Sequence, residues 1–165
     1  MSKMLFRMLG LLLISAFAIT SLCSDEAATA KLKDSMEMLK SKTSELGLPK
    51  LDGSALLFGS TKLNGNYTIV DQIKEKNGCT ATLFIKKGED FVRISTNVVK
   101  EGNRAVGTKL DPNGPAIVAI RKSEAFAGVV DILGKKYDTI YEPIFNENKE
   151  VLGVYYVGIL LEKAE

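Results

Sequence analysis

Between Asp90 and Val98 two sets of residues alternate: Phe91, Arg93, Ser95 and Asn97 on one parity, Val92, Ile94, Thr96 and Val98 on the other. In an extended strand those parities become opposite faces. The β-branched set wants a core. The other set joins an aromatic ring, a guanidinium and two small polar groups, the composition of a pocket wall for a small anion. Arg93 suits a carboxylate because its planar fork can donate two parallel N–H bonds. An ordinary half-exposed strand carries the same pattern, so parity alone leaves both readings open.

Missing residue types narrow the chemistry further. The 165-residue chain has no histidine. That excludes Ser-His-Asp and Cys-His nucleophiles, imidazole metal sites and the usual general base. An acid–base pair would have to come from a grouping such as Asp131 with Tyr137 or Lys135, and no motif supports one. The expectation is a non-enzyme with no cofactor and no metal. Two cysteines, Cys23 and Cys79, cannot make a disulfide framework. Cys79 reads as a small hydrophobe at the start of a strand.

Lys3 and Arg7, followed by an apolar run from Leu9 to Ile19, read as an export signal, too short to span a bilayer comfortably. Cleavage is expected near Cys23 or Ser24. Lipidation of Cys23 and an uncleaved anchor are the alternatives. Without Lys3 and Arg7 the 22 basic residues fall to 20 against 20 acidic ones. A near-neutral chain has no basic surface for nucleic acid.

Positioning the Arg93 strand requires the rest of one domain. Residues 25–46 read as a helix, capped by Ser24, with Leu32, Met36, Leu39 and Leu46 in one stripe and Thr43 filling its gap. Gly47 and Pro49 end it. A short strand at 55–58 and an Asn64-Gly65 turn come next. Residues 67–70 read as extended and 71–76 as a short helix. Asn66-Tyr67-Thr68 is a glycosylation sequon, relevant only in a eukaryotic secretory route. A hairpin pairs 80–86 with 90–98, and 100–104 is a charged loop. Asp111-Pro112-Asn113-Gly114 is a turn into a helix over 115–124, with Ile117, Ile120 and Val118 inward. Strands at 128–133 and 136–145 join through a Gly134-Lys135 turn, and Tyr137, Thr139 and Tyr141 share a face. The run 151–161 is apolar on both parities and reads as a central strand. The class is α+β on an antiparallel sheet.

Four stretches then carry a resemblance: LNGNYTIVDQI (63–73), ATLFIKKGEDFVRISTNVVKEGNRAVGTKLD (81–111), GPAIVAIRKSEAFAGVVDILGKKYDTIYEPI (114–144) and VLGVYYVGI (151–159). They resemble the Cache domain, more narrowly the Cache 3/Cache 2 fusion family of extracytoplasmic sensors, over roughly residues 51–161. The resemblance implies a PAS-like fold, with a long N-terminal helix on one sheet face and a ligand pocket on the other. It also implies ligand binding of the chemoreceptor and sensor-kinase type, with small carboxylates as the leading ligand class. Arg93, Ser95 and Asn97 would then line the pocket. Tyr137 and Tyr141 would supply hydroxyls and an aromatic wall, Lys135 charge, and Asp131 a partner for Arg93 or a lysine, or a seat for an amine. The plainer alternative makes Arg93–Asp131 an internal ion pair, the tyrosines core and Lys135 solvent-exposed.

Receptors of this kind usually continue into a second membrane helix, whereas this sequence stops at Glu165. That leads to the expectation of a stand-alone exported domain partnered by a small organic anion and by a membrane receptor or sensor kinase. The alternative is a ligand-free interaction protein that dimerises through the long helix or docks on a membrane receptor, which unusually exposed Leu32, Met36 and Leu39 would favour.

Overall fold

The computed structural model describes residues 16–161, with side chains from Glu26 onward. Most of the expected export signal over residues 1–23, with its cleavage and lipidation alternatives, lies outside the described residues or their side chains. The helix α1 spans Ala16–Ser44, so Ser24 is inside it and does not cap it. Leu32, Met36, Leu39 and Thr43 are all buried, as the stripe predicts. Thr43 returns its hydroxyl to the Leu39 carbonyl and shares a 3.1 Å hydrogen bond with the Tyr155 hydroxyl. Each fully buried aliphatic side chain of the stripe contributes roughly 1.5–3 kcal/mol. The apolar seam is therefore used inside the protomer. The chain leaves α1 at Gly47, where φ is +118° and a Cβ would stand 2.8 Å from the Gly59 Cα. Only glycine allows that approach.

Three short strands come next: β1 (Pro49–Asp52), β2 (Ala55–Phe58) and β3 (Thr61–Lys62). The helix α2 then spans Thr68–Asn77. This corrects the expected extended segment at 67–70. The run Thr68-Ile69-Val70 has strand-like composition, but Val70 and Ile73 sit one helical turn apart and are both fully buried. Tertiary burial outweighs the local preference. Asn66 accepts the Thr68 N–H at 3.1 Å, and Gly78 closes α2 with φ +67°.

The main sheet has five antiparallel strands in the order β5-β4-β10-β9-β8. They are β4 (Thr80–Lys87), β5 (Asp90–Thr96), β8 (Phe126–Ile132), β9 (Lys135–Phe145) and β10 (Val151–Leu160). The doubly apolar β10 is central, as expected. One sheet face packs on α1, α2 and β2 through Leu83, Ile85, Tyr155 and Val157. The other holds Phe84, Phe91, Tyr137, Tyr141, Val154 and Tyr156 beneath the helix α3 (Pro115–Arg121). Ala116, Ile117 and Ile120 are buried there, but Val118 is 49% exposed and does not face inward. The expected charged loop at 100–104 is a small hairpin of β6 (Val99–Lys100) and β7 (Asn103–Arg104). From it the chain runs back along β5, with Gly107 N–H on the Arg93 carbonyl and Leu110 N–H on the Phe91 carbonyl. That strap covers an otherwise open sheet edge.

The turn joining β8 to β9 is Leu133-Gly134, one residue earlier than expected. Both residues have positive φ, 55° and 84°. This is the two-residue type I′ geometry that matches strand twist. It places Lys135 in β9, across from Ile132. Among the described residues no helix is long and apolar enough to cross a membrane.

Candidate functional site

On the sheet face away from α1 lies a cavity of about 260 Å³. Its walls come from Arg93 on β5, Leu110 and Asp111 on the strap, Gly114 to Ala116 at the start of α3, Val129 to Ile132 on β8, and Lys136 and Tyr141 on β9. That volume lies just below the ~300–1,000 Å³ typical of pockets for drug-sized ligands, so it suits a small metabolite.

Arg93 is the deepest charge. It is 4% exposed, yet no carboxylate among the described residues approaches within 4 Å. Its Nη1 donates to the Thr108 hydroxyl at 2.8 Å and to the Lys109 carbonyl at 3.3 Å. Its Nε is buried with no hydrogen-bond partner among the described residues. The guanidinium lies against the Phe84 ring. Burial pulls the Arg93 pKa down, and the neighbouring Tyr141 and Tyr156 push it partly back. A buried cation without a counterion is costly in low dielectric, and an incoming carboxylate removes that cost.

Tyr141 borders the same cavity, and its hydroxyl makes no hydrogen bond among the described residues. Burial raises its pKa well above the ordinary value. Arg93 opposes that shift, and Asp111 adds to it. Tyr137 is buried on the same sheet face but outside the cavity wall, and burial raises its pKa too.

Of the other residues expected at the site, Asp131 borders the cavity from β8, whereas Ser95, Asn97 and Lys135 lie elsewhere. The pairing of β4 with β5 slips between Leu83 and Phe84: Leu83 faces Ser95, but Phe84 faces Arg93, leaving Ile94 as an extra residue. This β-bulge reverses the parity of the residues after it. Ser95 therefore donates to the Asn66 carbonyl at 2.6 Å. Asn97 accepts the Ala81 N–H at 2.8 Å and donates to the Val70 carbonyl. Both are buried on the α2 side, away from the cavity. Thr96 joins the opposite parity and pairs its hydroxyl with Thr82. The expectation that Arg93, Ser95 and Asn97 share one face is thus corrected by a single inserted residue.

Asp131 is exposed and makes no ion pair with Arg93. One of its oxygens accepts the Gly134 N–H at 2.8 Å, and the other lies 3.9 Å from the Lys136 ammonium. Lys135 is exposed, and Lys136 rather than Lys135 contributes to the cavity wall. Asp131 pairs with Lys136 and Val130 with Tyr137 in the β8–β9 register, so Asp131 points to the face opposite Tyr137 and Lys135. The acid–base grouping considered from the sequence is not assembled. Sequence reading missed Asp111, Thr108 and the start of α3. Asp111-Pro112-Asn113-Gly114 was legible only as a turn, although an aspartate opening a turn also leaves a carboxylate oxygen available.

Among curated proteins, none matches this chain. Similar solved structures include the following two. The sensor domain of DcuS from E. coli aligns with a TM-score of 0.46 at 17% identity, over 86% of this chain and 91% of that one. The ligand-binding domain of the Campylobacter jejuni chemoreceptor Tlp3, solved with L-valine, aligns with a TM-score of 0.43 at 13% identity, over 89% and 64%. The family model described as the Cache 3/Cache 2 fusion domain matches residues 20–164. That span takes in all but the first turn of α1, the whole sheet and every wall of the cavity, and the chain accordingly belongs to the Cache 3/Cache 2 fusion domain family of extracytoplasmic sensor domains.

Proposed function

We propose that this domain senses a small organic anion, whose carboxylate docks on Arg93 in the cavity between the sheet and α3. The observation that carries the reading is the Arg93 guanidinium, 4% exposed, with an unpartnered Nε and no carboxylate within 4 Å among the described residues. Buried charges are otherwise paired. Tyr141 adds a hydroxyl donor in the same wall, and the apolar residues around it exclude water. Binding takes place outside the cytoplasm, and a membrane receptor or sensor kinase reads the occupied state.

Thermal unfolding of the full chain with acetate, propionate, lactate and succinate at millimolar concentration tests this. A ligand that binds only the folded state raises the melting temperature in proportion to the logarithm of its concentration. Arg93→Met keeps volume while removing charge, and such replacements often fold well. The expected result is a rise that is absent in Arg93→Met and reduced in Tyr141→Phe. No rise with any carboxylate, or a rise unchanged in Arg93→Met, overturns the reading.

A further inference from the structure

Three Asn-Gly pairs stand in this chain: Asn64-Gly65, Asn77-Gly78 and Asn113-Gly114. Each carries the same latent reaction. The glycine backbone nitrogen, on giving up its proton, attacks the side-chain amide carbon of the preceding asparagine. A C–N bond forms and closes a succinimide ring, and the amide nitrogen leaves with that proton as ammonia. Water then opens the ring at one carbonyl or the other, giving aspartate or isoaspartate. Glycine favours the attack because no Cβ flanks its nitrogen and its backbone turns freely. No reagent other than water is consumed. What distinguishes the three pairs is how firmly the fold holds the amide and the nitrogen.

Asn64 is half-buried and held at both ends of its amide. Its Oδ1 accepts the Leu56 N–H at 2.9 Å, and its Nδ2 donates to the Ser54 carbonyl at 3.0 Å. The Gly65 N–H donates to the Ile94 carbonyl at 2.8 Å. Asn77 is the last residue of α2, and its Nδ2 donates to the hydroxyl of buried Ser35 at 2.9 Å. The Gly78 N–H donates to the Lys74 carbonyl at 2.8 Å. Asn113 differs on every count. It is exposed, and its side chain makes no hydrogen bond among the described residues. The Gly114 N–H donates to the Asp111 carbonyl at 3.2 Å, the longest of the three glycine bonds. Attack at Asn113 needs one turn to open, whereas the other two sites must break side-chain and backbone bonds together.

We propose that Asn113 is a self-modification site, which in the folded protein deamidates ahead of Asn64 and Asn77 through a succinimide closed by the Gly114 nitrogen. The product bears on the cavity, because Asp111 and Gly114 belong to its wall. A new carboxylate appears between them in sequence, at the turn that enters α3. The isoaspartate form also adds a methylene to the backbone just before Gly114, Pro115 and Ala116, which form the α3 part of the wall. Age thereby alters the charge and outline of that wall without any enzyme. The reaction is independent of what the cavity binds.

Ageing of the full chain at mildly alkaline pH and body temperature, followed by tryptic digestion in mild acid and mass spectrometry, tests this. Cleavage after Lys109 and Arg121 isolates residues 110–121, in which Asn113 is the only asparagine. The same ageing in urea supplies the reference without structural restraint. In the folded protein the 110–121 peptide should gain the mass of one amide-to-acid exchange and split into aspartate and isoaspartate forms. Its rate should exceed those at Asn64 and Asn77 at least about tenfold, because the latter wait on local opening, and the three rates should converge in urea. Asn113→Gln, whose longer side chain closes a ring far more slowly, should remove the main acidic species seen on isoelectric focusing of aged protein. The assignment is overturned if Asn113 stays unmodified in the folded chain, if Asn64 or Asn77 converts there as fast, or if the acidic species persists in Asn113→Gln. A ratio that persists in urea traces the preference to sequence instead of fold and overturns it equally.

Discussion

Arg93 stands directly across the β4–β5 ladder from Phe84, and its guanidinium carbon lies 4.9 Å from the Phe84 ring centroid. The ring face offers the cation a weak electrostatic partner that neither neutralises it nor occupies its N–H bonds. Phe84 thereby holds the guanidinium in place while leaving it available to an anion.

Phe84→Leu should lower unfolding free energy by about 1–2 kcal/mol, combining lost ring volume with the lost cation–π contact. Urea denaturation measures it. The loss should exceed that of Phe126→Leu, because Phe126 is only half-buried and has no guanidinium over its ring.

Asn97→Ala should cost stability and leave ligand binding alone. It strands the buried Ala81 N–H and Val70 carbonyl, at about 1–3 kcal/mol for each unsatisfied group. Calorimetry should return the wild-type affinity for whichever carboxylate stabilises the parent protein. A lost affinity with intact fold would put Asn97 in the ligand site after all.

Gly153→Ala in β10 should be severely destabilising. A Cβ at that position falls against the Phe84 backbone carbonyl oxygen, which cannot move without breaking the central ladder. A loss of about 3 kcal/mol or more is expected. Gly88→Ala provides the contrast: its φ is +59° but its Cβ would meet nothing within 4 Å, so only about 1 kcal/mol of backbone strain is expected. Denaturant midpoints of the two variants should differ clearly.

Alkaline pH should destabilise the protein through its tyrosines. Burial raises the pKa of Tyr137, Tyr141, Tyr155 and Tyr156 in the folded state. Unfolded, each titrates near 10, so above that pH the folded form binds more protons and stability falls as pH rises. Below about pH 10 the contribution is fully present. Each tyrosine protonated when folded and ionised when unfolded should add roughly 1.4 kcal/mol per pH unit to the decline. Urea midpoints between pH 8 and 11, with Tyr141→Phe and Tyr156→Phe as flatter controls, check the slope.

Much of the architecture was legible because it rests on periodicity. The Leu32, Met36, Leu39 and Thr43 stripe marked α1, and the doubly apolar 151–161 run marked the strand that lies in the middle of the sheet. Arg93 was legible as a charge on a strand that must be buried on at least one face. What escaped were single-residue events. The Ile94 bulge moved Ser95 and Asn97 to the other face, and a similar slip at Leu152 put that side chain with Tyr155 rather than with Val154. A one-residue shift reverses every later side chain and leaves almost no trace in composition. The start of α2 escaped because β-branched residues read as strand until their burial partners are known. Asp111 escaped because its place in the cavity wall depends on a fold that brings a turn against a strand some twenty residues earlier in the chain.

The bulge in β5 has a consequence for how this domain can diverge. On one side of Ile94 the strand carries the buried charge of the cavity; on the other it carries the hydrogen bonds that hold α2. Substitutions at position 93 can therefore change the charge and shape of the cavity without disturbing Ser95 and Asn97. Deletion of that one extra residue would do the reverse, turning the amide of Asn97 toward the cavity face and ending the separation on which such change depends.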